Sequence, residues 1–325
     1  MQVLTVNQNE AGQRFDKLLV KYLNKAPKSF IYKMLRKKNI TLNGKKATGS
    51  EILNLEDEIK LFLSEETIEK FSELQIQEVK HNLQILYENK DVLIINKPAG
   101  TLSQKANPED VSLVEEIISY MLDSKQLSRE DLKSFKPSIC NRLDRNTSGI
   151  VVAGKSLYGL QSMAKLFQDR SIQKYYLCIV KGCVREKQRI EGYLYKNEAT
   201  NQVTIFQEQK EDAVYICTEY EPVIRNEKYS LLSVKLITGR THQIRAHLNS
   251  IGHPILGDGK YGNRIENEMA RKKYGLKHQL LHSYKTIFPL LEDQNDLSGK
   301  EIIAPLPDYF ITIKEDLCHH GILED

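Results

Sequence analysis

Apolar residues near the start of the chain recur at the spacing of amphipathic helices. Residues 18–23 and 30–35 each carry adjacent apolar positions that repeat after about four residues, which places these side chains on one helix face. Residues 40–44 alternate as a strand does and end in an Asn-Gly pair, which is typical of a two-residue hairpin turn. A second short strand follows over residues 58–63. The pattern predicts a small α+β domain over residues 1–63.

The pattern changes twice further along the chain. Residues 64–82 are polar and acidic without a clear apolar period, and they are interpreted as a linker. Residues 83–325 contain many strand-like runs and a helical rhythm over residues 111–122, which predicts an α+β domain around a mixed or antiparallel sheet. The strand-like runs cover residues 85–88, 92–95, 150–153, 175–180, 203–206, 213–220 and 229–237, and residues 96–100 are expected to break the second of them.

Charge is concentrated at the front of the chain. Residues 1–63 hold twelve Lys and Arg against six Asp and Glu, whereas the whole chain has a net charge of +4. Arg36, Lys37 and Lys38 fall in the last turn of the second predicted helix, beside the predicted hairpin turn. Such a surface suits phosphate backbones. On charge alone, a solvated lysine-rich face is an equally open interpretation.

Composition narrows the class of protein. Of 325 residues, 40% are hydrophobic and 28% are charged, which is typical of a globular protein rather than a disordered or fibrous one. No apolar run approaches the length of about 18 residues that a membrane helix needs, and residues 1–10 lack the layout of a signal peptide. The five cysteines, Cys140, Cys178, Cys183, Cys217 and Cys318, include no C-x-x-C pair, so we expect buried thiols and a reducing cytoplasm.

An acidic residue between two arginines marks the first candidate site. Asp144 lies between Arg142 and Arg145 in a loop that precedes the strand-like run at residues 150–153. Neighbouring cations favour the ionised form of a carboxylic acid. An ionised carboxylate on such a loop can act as a nucleophile or a base. It can equally be a loop acid that forms turn hydrogen bonds.

The second candidate site follows the last strand-like run. Thr238 or Thr241 is expected to cap a helix on which His242 and Arg245 share a face, and the N–H groups at such a helix start favour anions. A metal site is disfavoured here. The potential ligands are His242, His247, His253 and Asp258. The first two are five residues apart, whereas two zinc ligands on one helix face are four apart.

The third candidate is the tyrosine pair Tyr175 and Tyr176 in a predicted strand. A tyrosine that alternates with apolar residues in a strand usually belongs to the core. Alternate residues of a strand point to opposite faces, so one of the two tyrosines is expected to face the opposite side, where a cleft is one alternative.

Together these stretches resemble the RluA-type family of pseudouridine synthases, in the branch that modifies ribosomal RNA. The resemblance covers residues 85–290 and rests on the segments at residues 92–100, 142–149, 174–182, 239–247, 252–258 and 281–283. One departure is Asn141, where the family usually has His; Asn cannot become cationic, and we expect a structural or phosphate-contacting role there. Residues 12–63 resemble the small RNA-binding domain named after ribosomal protein S-four.

The resemblance implies an isomerisation of uridine to pseudouridine in RNA, without metal, nucleotide or organic cofactor. It implies that Asp144 is the catalytic carboxylate, that Arg245 pairs with it, and that Tyr176 stacks on the target uracil. Arg142 is expected to enter the RNA helix when the base leaves it. The further residues expected to contact RNA are Arg145, Arg240, His242, Gln243, Lys97, Arg36, Lys37 and Lys38.

Two other functions compete with this interpretation. One is a binding-only RNA protein such as a ribosome assembly factor, which would not need Asp144, Tyr176 and Arg245 together. The other is a hydrolase that releases free base. Ribosomal RNA of the large subunit is the favoured partner, with transfer RNA as the alternative, and the expected state is a cytoplasmic monomer. The central expectation is a contact between Asp144 and Arg245 in a pocket for one everted pyrimidine.

Overall fold

A computed structural model describes residues 1–73, 76–291, 296–319 and 322–323. In these residues the strands form a small sheet near the start of the chain and a large sheet in the remainder. The front elements are β1 (Gln2–Thr5), α1 (Phe15–Tyr22), α2 (Lys28–Arg36), β2 (Ile40–Leu42), β3 (Lys45–Lys46) and β4 (Glu58–Leu61), with the strand order β1-β4-β2-β3.

The front unit has its own apolar core. Phe15 and Leu19 on α1 and Ile31 and Leu35 on α2 are buried with Ile59 of β4. Two helices and a sheet were predicted, and both are confirmed, although β1 escaped the sequence pattern. The hairpin turn between β2 and β3 has positive φ angles at its Asn and Gly, as the two-residue turn requires.

The acidic stretch after the front unit is not a plain linker. Residues Glu65–Phe71 form helix α3, which begins at Ser64, whose hydroxyl accepts a hydrogen bond from the Thr67 N–H. Phe71 packs against Phe30 of α2 with ring centroids 4.7 Å apart. The sequence prediction missed this helix because its few apolar residues serve the front core, whereas its exposed face is acidic.

The remainder of the chain is built on one mixed sheet with helices packed against it. Its strands are β5 (Ile85–Glu88), β6 (Val92–Lys97), β7 (Ser138–Ile139), β8 (Ser148–Gly154), β9 (Gln173–Lys181), β10 (Gln188–Asn197), β11 (Gln202–Phe206), β12 (Val214–Arg225), β13 (Tyr229–Leu236), β14 (Leu281–Ile287), β15 (Glu301–Ile303) and β16 (Ile322–Leu323). Its helices are α4 (Leu113–Asp123), α5 (Leu157–Gln168), α6 (Gln243–Ser250), α7 (Arg264–Tyr274) and α8 (Asp308–His319), with a 3₁₀ turn at Asp131–Lys133.

The main path of the sheet runs β11-β10-β12-β13-β9-β14-β8-β6-β5. Within the described strands, β14 pairs with β8 in parallel, whereas the other pairs are antiparallel. The predicted α+β class with a mixed sheet is therefore confirmed. Strand β14 comes late in the chain yet lies in the middle of the sheet, where it joins β9 on one side to β8 on the other.

The central strands are apolar on both faces because helices cover both. Val151 and Ala153 of β8 pack in the core that contains α4, while Val152 packs with Met163 of α5 on the other side. Strand β6 continues through Lys97, whereas the sequence predicted a break at residue 96. Asn96 stays in the strand because its amide donates to the Gln84 side chain and the Pro305 carbonyl.

Cys178 and Cys217 are buried free thiols, and Cys140 and Cys183 are half-buried free thiols; the side chain of Cys318 lies outside the described residues. Among the described helices, none combines the length and apolar composition that crossing a bilayer requires.

The absence of a side chain at Gly149 allows β8 and β14 to approach each other closely. Its φ is +112°, and a Cβ there would lie 2.2 Å from the Ser283 carbonyl oxygen. Gly149→Ala is therefore expected to lower the free energy of unfolding by about 3 kcal/mol or more, measured by chemical denaturation. The control is Gly259→Ala, where a Cβ meets nothing within 4 Å. Equal stability of the two variants would contradict this packing.

Candidate active site

A cavity of about 1020 Å³ opens where the loop before β8 meets the loop after β13. Asp144 lies on the first loop, and Arg245 lies on α6, which follows the second. The Nη1 of Arg245 donates to Oδ2 of Asp144 over 2.7 Å, although the two residues are 101 positions apart. The side chain of Asp144 is 23% exposed and that of Arg245 is 9% exposed. The carboxylate of Asp144 is therefore more exposed to the cavity than the guanidinium of Arg245.

A second carboxylate fixes the position of Arg245. Asp258, whose side chain is fully buried, accepts hydrogen bonds from Nε over 2.7 Å and from Nη2 over 2.9 Å. The ring of Tyr261 lies 5.2 Å from the guanidinium carbon, at a distance typical of a cation–π contact. This bidentate pairing leaves Nη1 free to point at Asp144.

The charges of the cluster stabilise one another. Burial by itself lowers the pKa of Arg245, but the hydrogen bonds and charges of Asp258 and Asp144 outweigh burial and raise the pKa above its ordinary value. Burial also raises the pKa of Asp258, but the hydrogen bonds and charge of Arg245 hold it below the ordinary value. Arg245 is therefore charged, and it faces an ionised Asp258. From the sequence, Asp258 was predicted only as a potential metal ligand, although the segment at residues 252–258 is part of the family resemblance.

Tyr176 supplies an aromatic ring beside Asp144. It lies on β9, lines the cavity and is 6% exposed. Burial raises the pKa of its phenol to about 12, and the charge of Asp144 acts in the same direction. The phenol is therefore neutral at physiological pH. Tyr175 faces the other side of the sheet, between Lys235 and Lys285, so the expected division of the tyrosine pair is found.

His242 lies at the start of α6 in a left-handed conformation, with φ of 54°. Its Nδ1 lies 2.9 Å from the Tyr261 hydroxyl, and its Nε2 lies 3.9 Å from Oδ2 of Asp144. The prediction that Thr238 or Thr241 caps this helix is wrong. The N-cap residue of α6 is His242. The Thr238 hydroxyl instead donates to the Gln243 side chain and accepts from the Cys217 N–H.

Gln243, which was predicted to contact RNA, forms hydrogen bonds inside the protein. Its side chain is 2% exposed, because the amide nitrogen donates to the Cys217 carbonyl and the Thr218 hydroxyl. The amide oxygen accepts from the Arg240 N–H. Gln243 therefore fixes the loop between β13 and α6 to strand β12.

Lys97, which was also predicted to contact RNA, is fully buried. Its ammonium donates to the carbonyl oxygens of Pro98, Thr101 and Arg145 over 2.8 to 3.1 Å. Burial lowers its pKa to about 7, against the opposing charge of Asp144. Lys97 therefore ties the end of β6 to the loop that carries Asp144.

The sequence matches the family model for RNA pseudouridylate synthase over residues 91–250. An uncharacterised RNA pseudouridine synthase of Mycoplasma genitalium is 31% identical over 88% of this chain and 89% of its own length. The ribosomal large subunit pseudouridine synthase C of Buchnera aphidicola is 30% identical over 95% of each chain. The chain belongs to the RluA-type family of RNA pseudouridine synthases. The solved human RNA pseudouridylate synthase domain containing 4 shares the fold, with a TM-score of 0.59 at 22% identity over 74% of this chain and 94% of that one.

Three of the arginines expected to contact RNA lie at the cavity of this pseudouridine synthase. Arg142, Arg145 and Arg240 are exposed and line its opening. Arg145 also donates to the Gly100 carbonyl. Asn141 has a structural position, since its amide bonds the backbone of Ile150 and Val152 on β8.

Sequence reasoning missed several cations that line the same cavity. They are Lys105, Arg170, Lys174, Lys196 and Lys260. They come from separate elements, and no local spacing marks them, although Lys174 lies in the segment that contains Tyr176. Burial lowers the pKa of Lys174. The opening of the synthase cavity is thus richer in positive charge than its motifs indicate.

The remaining residues expected to contact RNA lie in the front unit. Arg36, Lys37 and Lys38 are exposed at the end of α2. Among the described residues, no group of three His, Cys, Asp or Glu side chains is arranged to hold a metal ion. His247 instead bonds Thr218, and His253 bonds the Lys181 carbonyl.

Lys97→Met should destabilise the synthase because three carbonyl oxygens lose their donor. We expect a loss of about 2 kcal/mol or more in the free energy of unfolding at pH 7. The pKa of Lys97 is about 7 in the folded chain, and a lysine is expected at 10.5 in the unfolded chain. Between these values the unfolded chain binds the extra proton, so raising the pH stabilises the folded wild type.

The difference in stability between wild type and Lys97→Met should therefore widen from pH 7 to about pH 10. Chemical denaturation at both pH values measures it. The matched control is Lys90→Met, which removes an exposed lysine. A difference that stays constant with pH would show that Lys97 does not change its pKa on folding.

Proposed function

We propose that this chain converts uridine to pseudouridine in large-subunit ribosomal RNA, with Asp144 as its catalytic carboxylate. The observation that carries the proposal is the 2.7 Å contact between Asp144 and Arg245 at a cavity open to solvent. The guanidinium holds the carboxylate of Asp144 at the cavity, where a nucleotide can reach it.

The isomerisation exchanges one bond for another and consumes no second reactant. The bond between uracil N1 and the sugar C1′ breaks, the base turns, and C5 bonds C1′ while its proton moves to N1. Asp144 serves either by attacking C1′ or by removing the proton from C2′, and both steps need a carboxylate at the sugar. Arg245 holds that carboxylate, and the neutral ring of Tyr176 stacks on the uracil.

A uridine in a stem or a stacked loop cannot reach Asp144 without leaving the stack. Extrusion of one nucleotide costs a few kcal/mol. Arg142, Arg145 and Arg240 at the opening supply charge for the displaced phosphates, and Arg142 is free to enter the RNA helix. These contacts offset the cost of extrusion.

The choice of ribosomal RNA over transfer RNA rests on two supports. Curated relatives of nearly full length carry the name ribosomal large subunit pseudouridine synthase C. The front unit presents Arg36, Lys37 and Lys38 on one exposed helix end, which suits an extended RNA surface. We infer that the chain works as a monomer in the cytoplasm, where ribosomal RNA is assembled. Mapping pseudouridines in ribosomal and transfer RNA from cells that lack the protein distinguishes the two targets.

Asp144→Asn should abolish product while RNA binding persists, because the amide lacks the charge and basicity that either reaction needs. Turnover is measured on ribosomal RNA labelled in its uridines, and binding is measured by filter retention. The control is Asp123→Asn, which neutralises a carboxylate on α4 with 74% side-chain exposure. Normal turnover of Asp144→Asn would remove this residue from the mechanism.

The same assay separates the competing functions by their products. A hydrolase releases free uracil, a binding-only assembly factor leaves the RNA unchanged, and an isomerase yields pseudouridine. Released uracil or unchanged RNA with the wild-type protein would overturn the proposal.

Combined alanine substitution of Arg36, Lys37 and Lys38 should weaken RNA binding and flatten its salt dependence. Each lost phosphate contact reduces the number of released counterions, so the slope of log affinity against log salt should fall by about two to three. The matched control replaces Arg271, Lys272 and Lys273, which also lie in the last turn of a helix but do not line the Asp144 cavity. An unchanged slope in the first variant would show that the front unit does not bind phosphates.

A further inference from the structure

The two ring nitrogens of His242 face different partners. Nδ1 lies 2.9 Å from the hydroxyl of Tyr261, and Nε2 lies 3.9 Å from Oδ2 of Asp144. A neutral imidazole carries its proton on one nitrogen only, so the partner of Nδ1 decides what Nε2 presents to Asp144.

The hydrogen bonds at Tyr261 favour one tautomer of His242. The backbone N–H of Val203 donates to the Tyr261 hydroxyl oxygen over 3.0 Å. The hydroxyl then has one proton of its own, and among the described residues Nδ1 of His242 is the acceptor within reach. A tyrosine O–H that donates to Nδ1 requires that nitrogen to be bare. With Nδ1 as the acceptor, the proton of the neutral ring lies on Nε2, the nitrogen 3.9 Å from Oδ2 of Asp144.

The two oxygens of Asp144 are in different surroundings. Oδ2 receives Nη1 of Arg245 over 2.7 Å and faces Nε2 of His242. No donor within the described residues bonds Oδ1. The donors thus gather on Oδ2 of a carboxylate that lines the cavity.

The backbone of His242 stores strain that supports this arrangement. A non-glycine residue with φ of 54° is uncommon, and such residues concentrate at functional sites when their surroundings enforce them. Here the Ala246 N–H bonds the His242 carbonyl, and the Gln243 N–H bonds the Arg240 carbonyl. These bonds hold the turn that directs the ring of His242 into the cavity.

We propose that His242 and Tyr261 form a positioning pair that presents an Nε2–H donor to Oδ2 of Asp144, so that Oδ1 is the oxygen that meets the nucleotide. This inference rests on the proposed role of Asp144. The separation of 3.9 Å is longer than a hydrogen bond. A shift of about 1 Å closes it when RNA occupies the cavity, as contacts in empty active sites commonly tighten on binding.

The surroundings keep His242 neutral. The ring is faced by Asp144 from the loop before β8, by Arg245 from α6, and by Asp258, Lys260 and Tyr261 from the loop after α6. Burial lowers the pKa of His242, the charge of Asp144 opposes this shift, and the charges of Arg245 and Lys260 add to it. A neutral ring at physiological pH keeps the Tyr261 hydrogen bond intact.

The tautomer is measured directly on the full chain by ¹⁵N-NMR, because bare and protonated ring nitrogens have well separated chemical shifts. We expect Nδ1 bare and Nε2 protonated in the wild type at pH 7. In Tyr261→Phe, which keeps the ring beside Arg245 but removes the hydroxyl, a mixture of tautomers should appear. A protonated Nδ1 in the neutral wild-type ring would overturn the inference.

Two substitutions separate the nitrogens in a turnover assay. His242→Asn retains an oxygen near the position of Nδ1 but no donor at Nε2, and Asn tolerates the left-handed backbone well. His242→Gln restores a donor near Nε2. We expect kcat to fall about tenfold or more in His242→Asn with KM for RNA changed less than about twofold, and His242→Gln to recover most of kcat. Thermal unfolding confirms that each variant is folded.

The outcomes distinguish the two proposals. Pseudouridine formed by wild type and by His242→Asn at equal kcat overturns the positioning role and leaves the proposed function intact. A change in KM alone assigns His242 to RNA contact and also overturns the role. Absence of pseudouridine with wild type overturns the proposed function and this role together, whereas the nitrogen shifts still report the tautomer.

Discussion

The bidentate contact between Arg245 and Asp258 is the interaction on which the site depends. Removing an ion pair from water costs several kcal/mol per ion unless hydrogen bonds satisfy both partners, and here the carboxylate of Asp258 accepts from Nε and Nη2 at 2.7 and 2.9 Å. The pair fixes the guanidinium plane, so Nη1 has a defined direction toward Asp144. Two carboxylates then share one guanidinium. Of the two, Asp144 is the carboxylate that solvent can reach.

The fold supplies this geometry through buried contacts that have no direct part in chemistry. Lys97 ties the Asp144 loop to β6 through carbonyl oxygens, and Gln243 ties the loop before α6 to β12. Gly149 lets β8 approach β14 closely beside the same loop. Catalytic groups that must hold their positions to a fraction of an ångström need such support from rigid elements.

The apolar periods in the sequence predicted the two front helices, α4 and most of the strands up to β13, and the family resemblance predicted the contact between Asp144 and Arg245. The sequence yielded no prediction for α5, α7, α8, β10 or β14. It failed where a side chain's direction decides its role. Gln243 occurs in the same motif as Arg240 and His242, and Lys97 lies at the end of β6, yet the side-chain nitrogens of Gln243 and Lys97 donate to backbone carbonyls inside the protein. Burial of this kind arises only in the assembled sheet. Helix α3 was missed for a related reason, since Phe71 gains its partner from α2. The contacts of the Tyr261 hydroxyl with Val203 and His242 could not be predicted from the sequence, because they join residues that are far apart in the chain.

The position of β14 in the sheet has a consequence for how the protein is made. This strand is synthesised after β5–β13, yet it lies between β9 and β8 and is the element that joins the two parts of the sheet. Ser148 and His282 become neighbours across 134 positions of sequence, and contacts of such high order form late. The wall of the cavity that Gln279 and Leu281 line is therefore incomplete until this strand has left the ribosome. A nascent or truncated chain can carry every basic residue of the front unit before the cavity of Asp144 is complete.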